Sequence, residues 1–266
     1  MKYVFGFIGA GNMGSALIKA TATNFTKEQI AFYDKHEDKR NKLLEYATPL
    51  VSAKEVAKNC EIIFIGVKPQ SYQTTFDEIK EELIANKKAV IVSMAAGVSI
   101  DGVKKISGLD LPVIRIMPNT PCKIGSGVIL YSVGEGVLDT ALSNFLTAMN
   151  GAGYVDEIEE DKIDIASVIS GCGPAFFYSF INAVAKAGER YGLPYDKALQ
   201  YACKTAEGSS KNVMASCEEV QALIDAVCSK GGTTIEGVKS FISSDLDGVV
   251  DKAITASFNR TLELKK

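Results

Sequence analysis

The chain has 266 residues, carries a formal net charge of −3 and is 47% hydrophobic. A chain of this length can bury a sizeable core and divide into two domains. Its weakly acidic balance gives no electrostatic case for binding nucleic acid or an anionic membrane surface. No charged-then-apolar leader precedes the first apolar run, so we expect a cytoplasmic protein.

The six cysteines are scattered, with no C-x-x-C pair among them and no histidine at metal-ligand spacing. A disulfide framework or a zinc site would need a more regular pattern. We therefore expect reduced thiols, as in the cytosol, and a functional site without a metal.

The first residues predict a strand, a tight turn and a helix. An apolar run ends at Ile8, and Gly9, Gly11 and Gly14 follow with G-x-G-x-x-G spacing before an apolar helical pattern. In this context Gly9 permits the turn, Gly11 lets a pyrophosphate approach the backbone, and Gly14 allows close helix packing. A βα turn without a ligand is the alternative. The candidate cofactor contacts here are Ile8, Gly9, Ala10, Gly11, Asn12 and Met13.

Apolar runs continue to alternate with helical patterns up to about residue 158. Further strands are predicted at 29–33, 61–67, 89–94, 113–117, 127–133 and around 154–155. This alternation predicts an α/β fold with a Rossmann-type, doubly wound parallel sheet, whose ligands bind beyond the carboxyl ends of the strands. The further cofactor candidates at these ends are Asp34, Lys35, Val67, Lys68, Pro69, Ala95 and Ala96.

Asn119 follows the strand at 113–117 and lies at the rim of the same predicted crevice. We interpret it as a contact to nicotinamide or substrate. The alternative is that Asn119 only shapes the turn together with Pro118 and Pro121.

Beyond residue 158 only helical periodicity remains, so we divide the chain into a domain at 1–158 and an all-helical domain at 159–266. Residues 159–191 predict one long helix or two, with Pro174 kinking it. The apolar run at 163–187 raises the question of a membrane span, but Asp164, Asn182 and Lys186 interrupt it. We favour a helix buried at a subunit interface. Further helices are predicted at 195–215, 218–227, 233–243 and from 245 onward.

A turn with two glycines and two threonines precedes the helix predicted at 233–243. Free N–H groups with adjacent hydroxyls at a helix start would suit a carboxylate, which the helix dipole also favours. A simple N-cap formed by a threonine is an equally good interpretation. The candidate carboxylate contacts are Ser229, Gly231, Gly232, Thr233 and Thr234.

Taken together, these motifs resemble the pyrroline-5-carboxylate reductase family, in family order and over nearly the whole chain. The Met-Pro-Asn-Thr-Pro and Gly-Gly-Thr-Thr elements are the specific ones. The matching segments are Phe-Ile-Gly-Ala-Gly-Asn-Met-Gly at 7–14, Val-Lys-Pro-Gln at 67–70, Ala-Ala-Gly at 95–97, Arg-Ile-Met-Pro-Asn-Thr-Pro at 115–121, Ser-Gly-Cys-Gly-Pro-Ala at 170–175 and Gly-Gly-Thr-Thr at 231–234.

The resemblance implies reduction of 1-pyrroline-5-carboxylate to L-proline with NADH or NADPH, the last step of proline biosynthesis. It implies a cofactor-binding first domain and a helical domain that forms an interlocked dimer, with dimers often assembled five to a ring. Thr234 matches the family's catalytic threonine, placed beside the ring nitrogen of the substrate. The chain departs from the family pattern at Lys230, Cys172 and Ala53.

Two other classes of protein fit less well. A β-hydroxyacid dehydrogenase would carry a lysine shortly after the Gly-Cys-Gly at 171–173, and none is there. A non-catalytic dinucleotide-binding module would not need the turn at 231–234. The single histidine, His36, follows the second strand, so no imidazole is expected at the nicotinamide. Reduction of a protonated cyclic imine needs no such base, unlike oxidation of a hydroxyl group.

The position of Asp34 predicts a preference for NADH. A carboxylate at the end of the second strand accepts hydrogen bonds from the adenosine ribose and repels a 2′-phosphate. The basic residues Lys35, His36, Lys39 and Arg40 could hold that phosphate instead, although we expect Lys39 and Arg40 to point out from the next helix. Alternatively, Asp34 only caps the next helix.

Overall fold

The computed structural model describes residues 2–264 and divides the chain into two compact units. The first unit extends to Cys172 and includes the segment from Phe258 onward. The second unit is Gly173–Ser257. The domain boundary predicted between residues 158 and 159 stays a prediction.

An eight-stranded sheet forms the centre of the first unit, in the order β3-β2-β1-β4-β5-β6-β7-β8 when strands are numbered along the chain. The order reverses between β1 and β4, as in a doubly wound sheet. The strands are β1 (Tyr3–Ile8), β2 (Ile30–Tyr33), β3 (Thr48–Pro49), β4 (Cys60–Ile65), β5 (Val90–Ser93), β6 (Val113–Pro118), β7 (Gly127–Val133) and β8 (Gly153–Glu157).

The sheet confirms the predicted Rossmann-type fold, with one difference at its edge. Strands β1 to β6 pair in parallel, but β7 pairs with β6 in the antiparallel sense and β8 then runs parallel to β7. Only residues 119–126 separate β6 from β7. A parallel pair needs a crossover of a dozen residues or more, so this short connection requires an antiparallel pair.

Apolar side chains cover both faces of the sheet. On one face Phe7 stacks on Phe64 with ring centroids 4.4 Å apart, and on the other Ile8 packs with Ile63 and Ile65. Alternate residues of a single strand therefore enter two separate cores, as expected for a strand buried on both sides. The helices of this unit are α1 (Asn12–Thr21), α2 (Glu37–Asn41), α3 (Ala53–Asn59), α4 (Tyr72–Ala85), α5 (Ile100–Ser107), α6 (Asp139–Asn150) and α7 (Ile163–Ser167).

The remaining elements are helical, and α9 and α11 have the bounds that the sequence predicts. A π-helical segment, Val168–Cys172, joins α7 to α8. Pro174 has no N–H to donate to the carbonyl of Ser170, four residues before it, and this missing bond accompanies the change of helix type. The helices are α8 (Gly173–Arg190), α9 (Tyr195–Ala215), α10 (Val220–Val227), α11 (Thr233–Ser243) and α12 (Leu246–Leu264).

The helical run Glu160–Arg190 is long and apolar enough, by length and composition alone, to cross a membrane. Only 17% of its most apolar stretch is buried within the chain. The exposed apolar side chains of α8 are Phe176, Phe177, Tyr178, Phe180 and Val184.

Candidate cofactor and substrate sites

The glycines of the first βα turn serve three different steric purposes. Gly9 has a φ of +98°, a conformation that residues with a side chain rarely adopt. A Cβ on Gly14 would lie 2.2 Å from the carbonyl oxygen of Gly9, so only glycine allows α1 to pack this closely. A Cβ on Gly11 would meet nothing within 4 Å. Gly11 is therefore not required by the packing of the chain itself, and it leaves open space at the start of α1.

The start of α1 is suited to a phosphate. Its N-cap is Gly11, which offers no side-chain oxygen to the first N–H groups, and no acidic residue occupies the first turn. A cavity of about 530 Å³ adjoins this helix start. Four lysines contribute to its lining, namely Lys19, Lys39, Lys42 and Lys123. Uncapped N–H groups, the helix dipole and these ammonium groups all favour a negatively charged ligand, so the site fits a dinucleotide pyrophosphate.

Asp34 is buried at the carboxyl end of β2 and holds the glycine turn. Its Oδ2 accepts the N–H of Ala10 at 2.7 Å, and its Oδ1 accepts the N–H of His36 at 2.9 Å. Lys39 and Arg40, which we expected to point out from the next helix, both approach Asp34. The ammonium group of Lys39 lies 4.0 Å from Oδ2, and Arg40 donates to the backbone carbonyl of Asp34 at 2.7 Å. The N-cap of α2 is His36, so Asp34 is not the cap.

The other cofactor candidates lie on adjacent strands. Strands β2, β1, β4 and β5 are parallel neighbours in the sheet, so their carboxyl ends lie side by side. These ends carry residues 8–13, Asp34, 67–69 and 95–96. The N–H of Gly66 donates to the carbonyl of Ile8 at 2.8 Å and joins two of these ends directly. Lys35 and Lys68 are exposed beside them. The structure thus brings the candidates together, while their contacts with a cofactor stay predictions.

Asn119 is buried, and its side chain is engaged with the protein. Its Nδ2 donates to the carbonyl of Ser170 at 2.8 Å. This is the carbonyl that receives no hydrogen bond from Pro174, because proline has no N–H. The Oδ1 of Asn119 accepts the N–H of Val128 at 2.9 Å. These bonds support its role in shaping the turn after β6. A contact from Asn119 to substrate or nicotinamide stays a prediction.

The turn at 229–234 belongs to the second unit. Gly231 has a φ of +76°, and the N–H of Gly232 donates to the carbonyl of Ser229 at 2.9 Å. The N-cap of α11 is Gly232, with no side-chain cap. The alternative in which a threonine is the N-cap is therefore wrong. Thr233 and Thr234 are exposed, and the first N–H groups of α11 are open to an anion.

A largely buried ionic cluster, which the sequence did not predict, joins Arg115 of β6 to two carboxylates. Arg115 Nη2 lies 2.6 Å from Asp164 Oδ1, and its Nη1 lies 3.3 Å from Glu160 Oε1. The same Glu160 oxygen accepts the N–H of Ile100 at the start of α5. The cluster was not predicted because its residues lie far apart along the chain. A charged residue inside an apolar strand was the one available signal.

The glycine turn, the uncapped start of α1 and the doubly wound sheet define a dinucleotide-binding protein of the Rossmann type. Two family models agree with this class. One, described as NADP oxidoreductase, coenzyme F420-dependent, matches residues 4–97, and the other, described as pyrroline-5-carboxylate reductase dimerisation, matches residues 160–264.

Full-length relatives identify the family. The chain is 35% identical to the pyrroline-5-carboxylate reductase of Aquifex aeolicus, over 98% of this chain and 96% of the relative, and 34% identical to that of Escherichia coli over the whole of both. The crystal structure of Plasmodium falciparum pyrroline carboxylate reductase with NADP bound matches with a TM-score of 0.89 at 30% identity, covering 99% of this chain and 98% of the other. The chain belongs to the pyrroline-5-carboxylate reductase family, and it is an oxidoreductase with a nicotinamide cofactor domain and a dimerisation domain.

Proposed function

We propose that the protein reduces 1-pyrroline-5-carboxylate to L-proline with NADH or NADPH, the last step of proline biosynthesis. The observation that carries this proposal is the presence, on one chain of this family, of two glycine turns that each lead into a helix with a glycine N-cap. The glycine turn before α1 suits the pyrophosphate of a dinucleotide, and the turn before α11 suits a small carboxylate. A carboxylic acid substrate and a dinucleotide are the two reactants of the reaction.

At the turn before α11, we assign the carboxylate to the N–H groups of residues 231–234 and the adjacent Ser229 hydroxyl. The N–H of Gly232 already donates to the carbonyl of Ser229, whereas the absence of a capping side chain on Gly232 leaves the N–H groups of Thr233 and Thr234 without a competing acceptor from that residue. Thr234 is the proposed catalytic residue, whose hydroxyl hydrogen-bonds the ring nitrogen of the substrate. Asn119, on the turn after β6, is proposed as a further contact to nicotinamide or substrate.

The proposed reaction asks little acid–base chemistry of the protein. A reduced nicotinamide, when bound, would supply the hydride that converts the C=N bond of the protonated imine to the amine. The chain's own residues need only orient substrate and cofactor and exclude water. The only histidine, His36, caps α2 in the cofactor unit, which agrees with a reaction that needs no imidazole base.

For the cofactor, we propose a preference for NADH. Asp34 places a buried carboxylate at the end of β2, where the adenosine ribose of a dinucleotide is expected. Lys39 reduces the effect of that charge from 4.0 Å, and the lysine-lined cavity favours phosphate groups in general. The proposed preference is therefore moderate, and NADPH is accepted as the second cofactor.

For assembly and location, we propose a cytoplasmic homodimer and its further assembly into a decamer of five dimers, without nucleic acid or membrane as a partner. The dimerisation-family match at 160–264 and the exposed apolar face of α8 support the dimer. All six cysteines are free, which supports a reducing compartment.

One assay tests the function. Purified protein is mixed with NADH or NADPH, and the loss of reduced cofactor is followed with and without 1-pyrroline-5-carboxylate. We expect substrate-dependent oxidation and formation of proline. Folded protein that shows neither with either cofactor would contradict the proposal.

A further inference from the structure

The loop between β4 and α4 is exposed where it carries its proposed cofactor contacts. Residues 68–71 are solvent-exposed, so packing contributes little to their position. At the start of the loop Gly66 donates to Ile8, and near its end the N–H of Ser71 donates to the carbonyl of Lys68 at 2.8 Å. An exposed loop of this kind depends on the bonds at its base for a fixed conformation.

Tyr72, the first residue of α4, closes the base of this loop. Its side chain is fully buried, and its hydroxyl donates to the carbonyl of Ile65, the last residue of β4, at 3.0 Å. The hydroxyl of Ser93, the last residue of β5, lies 3.2 Å from the hydroxyl oxygen of Tyr72. Since the tyrosine proton goes to Ile65, Ser93 is the donor of the second bond. Burial raises the pKa of Tyr72 to about 12, so the phenol stays neutral and remains a donor at physiological pH.

These two bonds connect the strand ends that precede both proposed nicotinamide-side loops. Residues 67–69 follow β4, and residues 95–96 follow β5 two positions after Ser93. We propose that Tyr72 is a positioning residue for cofactor binding, which holds these two loops at a fixed separation through Ile65 and Ser93. The inference rests on the proposed function in one respect, namely that these loops contact the dinucleotide.

The physical reason lies in the cost of ordering a loop during binding. A loop held in its binding conformation before the cofactor arrives loses little conformational entropy on association. Without the Tyr72 hydroxyl, the carbonyl of Ile65 and the hydroxyl of Ser93 lose their shared partner, and the loop base can relax. The cofactor would then order the loop on binding, at the expense of affinity.

The test is Tyr72→Phe, which removes one oxygen and keeps the ring in its core. Kd for NADH and NADPH is measured by the fluorescence of the bound reduced nicotinamide, alongside kcat and KM. We expect cofactor Kd and KM to rise about three- to tenfold, with kcat within about twofold of the unaltered enzyme. Ser93→Ala should raise Kd in the same direction, and the two changes together should be less than additive because they break one network.

Tyr131→Phe is the matched control. Tyr131 is also buried, and its hydroxyl donates to Glu157 at 3.2 Å between β7 and β8, away from the proposed cofactor loops. We expect it to lower the melting temperature comparably while leaving Kd unchanged.

A folded Tyr72→Phe with unchanged Kd, or an equal rise in Kd for Tyr131→Phe, would overturn the inference. If Tyr72→Phe does not fold, an unchanged Kd in Ser93→Ala overturns it instead. Failure of the proposed function has a separate signature. If the unaltered protein binds no reduced cofactor, both the proposed function and the role of Tyr72 are overturned. If the unaltered protein turns over substrate normally, an unchanged Kd in Tyr72→Phe overturns only the role of Tyr72.

Discussion

Thr234 is the residue at which the proposed chemistry is most directly tested. It is exposed at the second position of α11, and Gly232 rather than a threonine is the N-cap, so capping does not explain its hydroxyl. We expect Thr234→Ala to lower kcat/KM about ten- to a thousandfold, the effect of losing one aligned donor at a reacting centre. The fold and cofactor Kd should persist, because the side chain is exposed.

Two variants control for this result. Thr234→Ser keeps the hydroxyl and should recover most of the activity, while Thr233→Ala removes the neighbouring hydroxyl and should have a smaller effect. Steady-state kinetics with varied 1-pyrroline-5-carboxylate distinguish them. Unchanged kinetics in Thr234→Ala would show that the threonine has no part in the reaction.

Asp34 determines cofactor preference in our proposal, and in the structure it also stabilises the glycine turn. Its carboxylate both carries the charge that disfavours a 2′-phosphate and accepts the N–H of Ala10 in the glycine turn. Asp34→Ser should therefore weaken both cofactors, while kcat/KM for NADPH relative to NADH rises about tenfold, equivalent to about 1.4 kcal/mol. The ratio isolates the charge effect, because loss of the turn contact applies equally to both cofactors.

Asp38→Ser is the control for Asp34→Ser. Asp38 is exposed and lines the lysine-rich cavity at the start of α1. Its replacement by serine changes the net charge of the protein by the same amount as Asp34→Ser, and we expect a smaller change in the cofactor ratio. If the unaltered enzyme already favours NADPH strongly, the lysines dominate and our interpretation of Asp34 is wrong.

At the scale of single elements, two glycines of the turn before α1 have different roles. Gly14 is needed for folding, and Gly11 is proposed to be needed for cofactor binding. Gly14→Ala places a Cβ 2.2 Å from the carbonyl oxygen of Gly9 and should strongly destabilise the first unit. Gly11→Ala meets nothing within 4 Å and should fold with an almost unchanged melting temperature. Its methyl group would occupy the space of the approaching pyrophosphate, so we expect cofactor Kd to rise about tenfold or more. Calorimetry measures the melting temperature of both variants, and cofactor fluorescence measures their Kd. Normal cofactor binding by Gly11→Ala would contradict the proposed role of Gly11.

The elements that the sequence predicted well are those with a strong local signal. Strand β4 is apolar on both faces, and α9 and α11 begin and end where glycine, proline or polar residues interrupt the helical pattern. Strand β3 escaped prediction because its two residues, Thr48 and Pro49, carry no periodicity. The π-helical segment was predicted only as a proline kink, since its form depends on which group takes the carbonyl of Ser170.

In the candidate site, too, only features with a local sequence signal could be predicted. The glycine turn and the turn at 229–234 were predictable because each motif is continuous in sequence. The bond between Asp34 and Ala10 and the cluster of Arg115 with Glu160 and Asp164 were not, because they join residues that only the completed sheet brings together. Side-chain direction, as for Lys39 and Arg40, likewise depends on the partners that folding supplies.

At the scale of the whole molecule, the exposed apolar face of the helical unit requires a partner. Phe177 is 68% exposed and Phe180 is 49% exposed on α8, and Phe176 and Ile181 lie on the same helix. A soluble monomer rarely leaves so many large apolar side chains together in water. The dimerisation-family match at 160–264 includes this helix, and we propose that a second copy of the chain covers its apolar face.

Phe177→Glu should therefore weaken the dimer, because it would bury an unpaired carboxylate in an apolar contact. We expect the dimer dissociation constant, measured by analytical ultracentrifugation, to rise at least about tenfold. Val51→Glu is the matched control, since Val51 is 82% exposed in the first unit and its change should leave the dimer intact. Light scattering that finds the unaltered protein as a stable, active monomer at low concentration would contradict obligate dimerisation. In that case the apolar face of α8 would need a different partner, and the membrane-length helical run at Glu160–Arg190 would have to be tested against lipid.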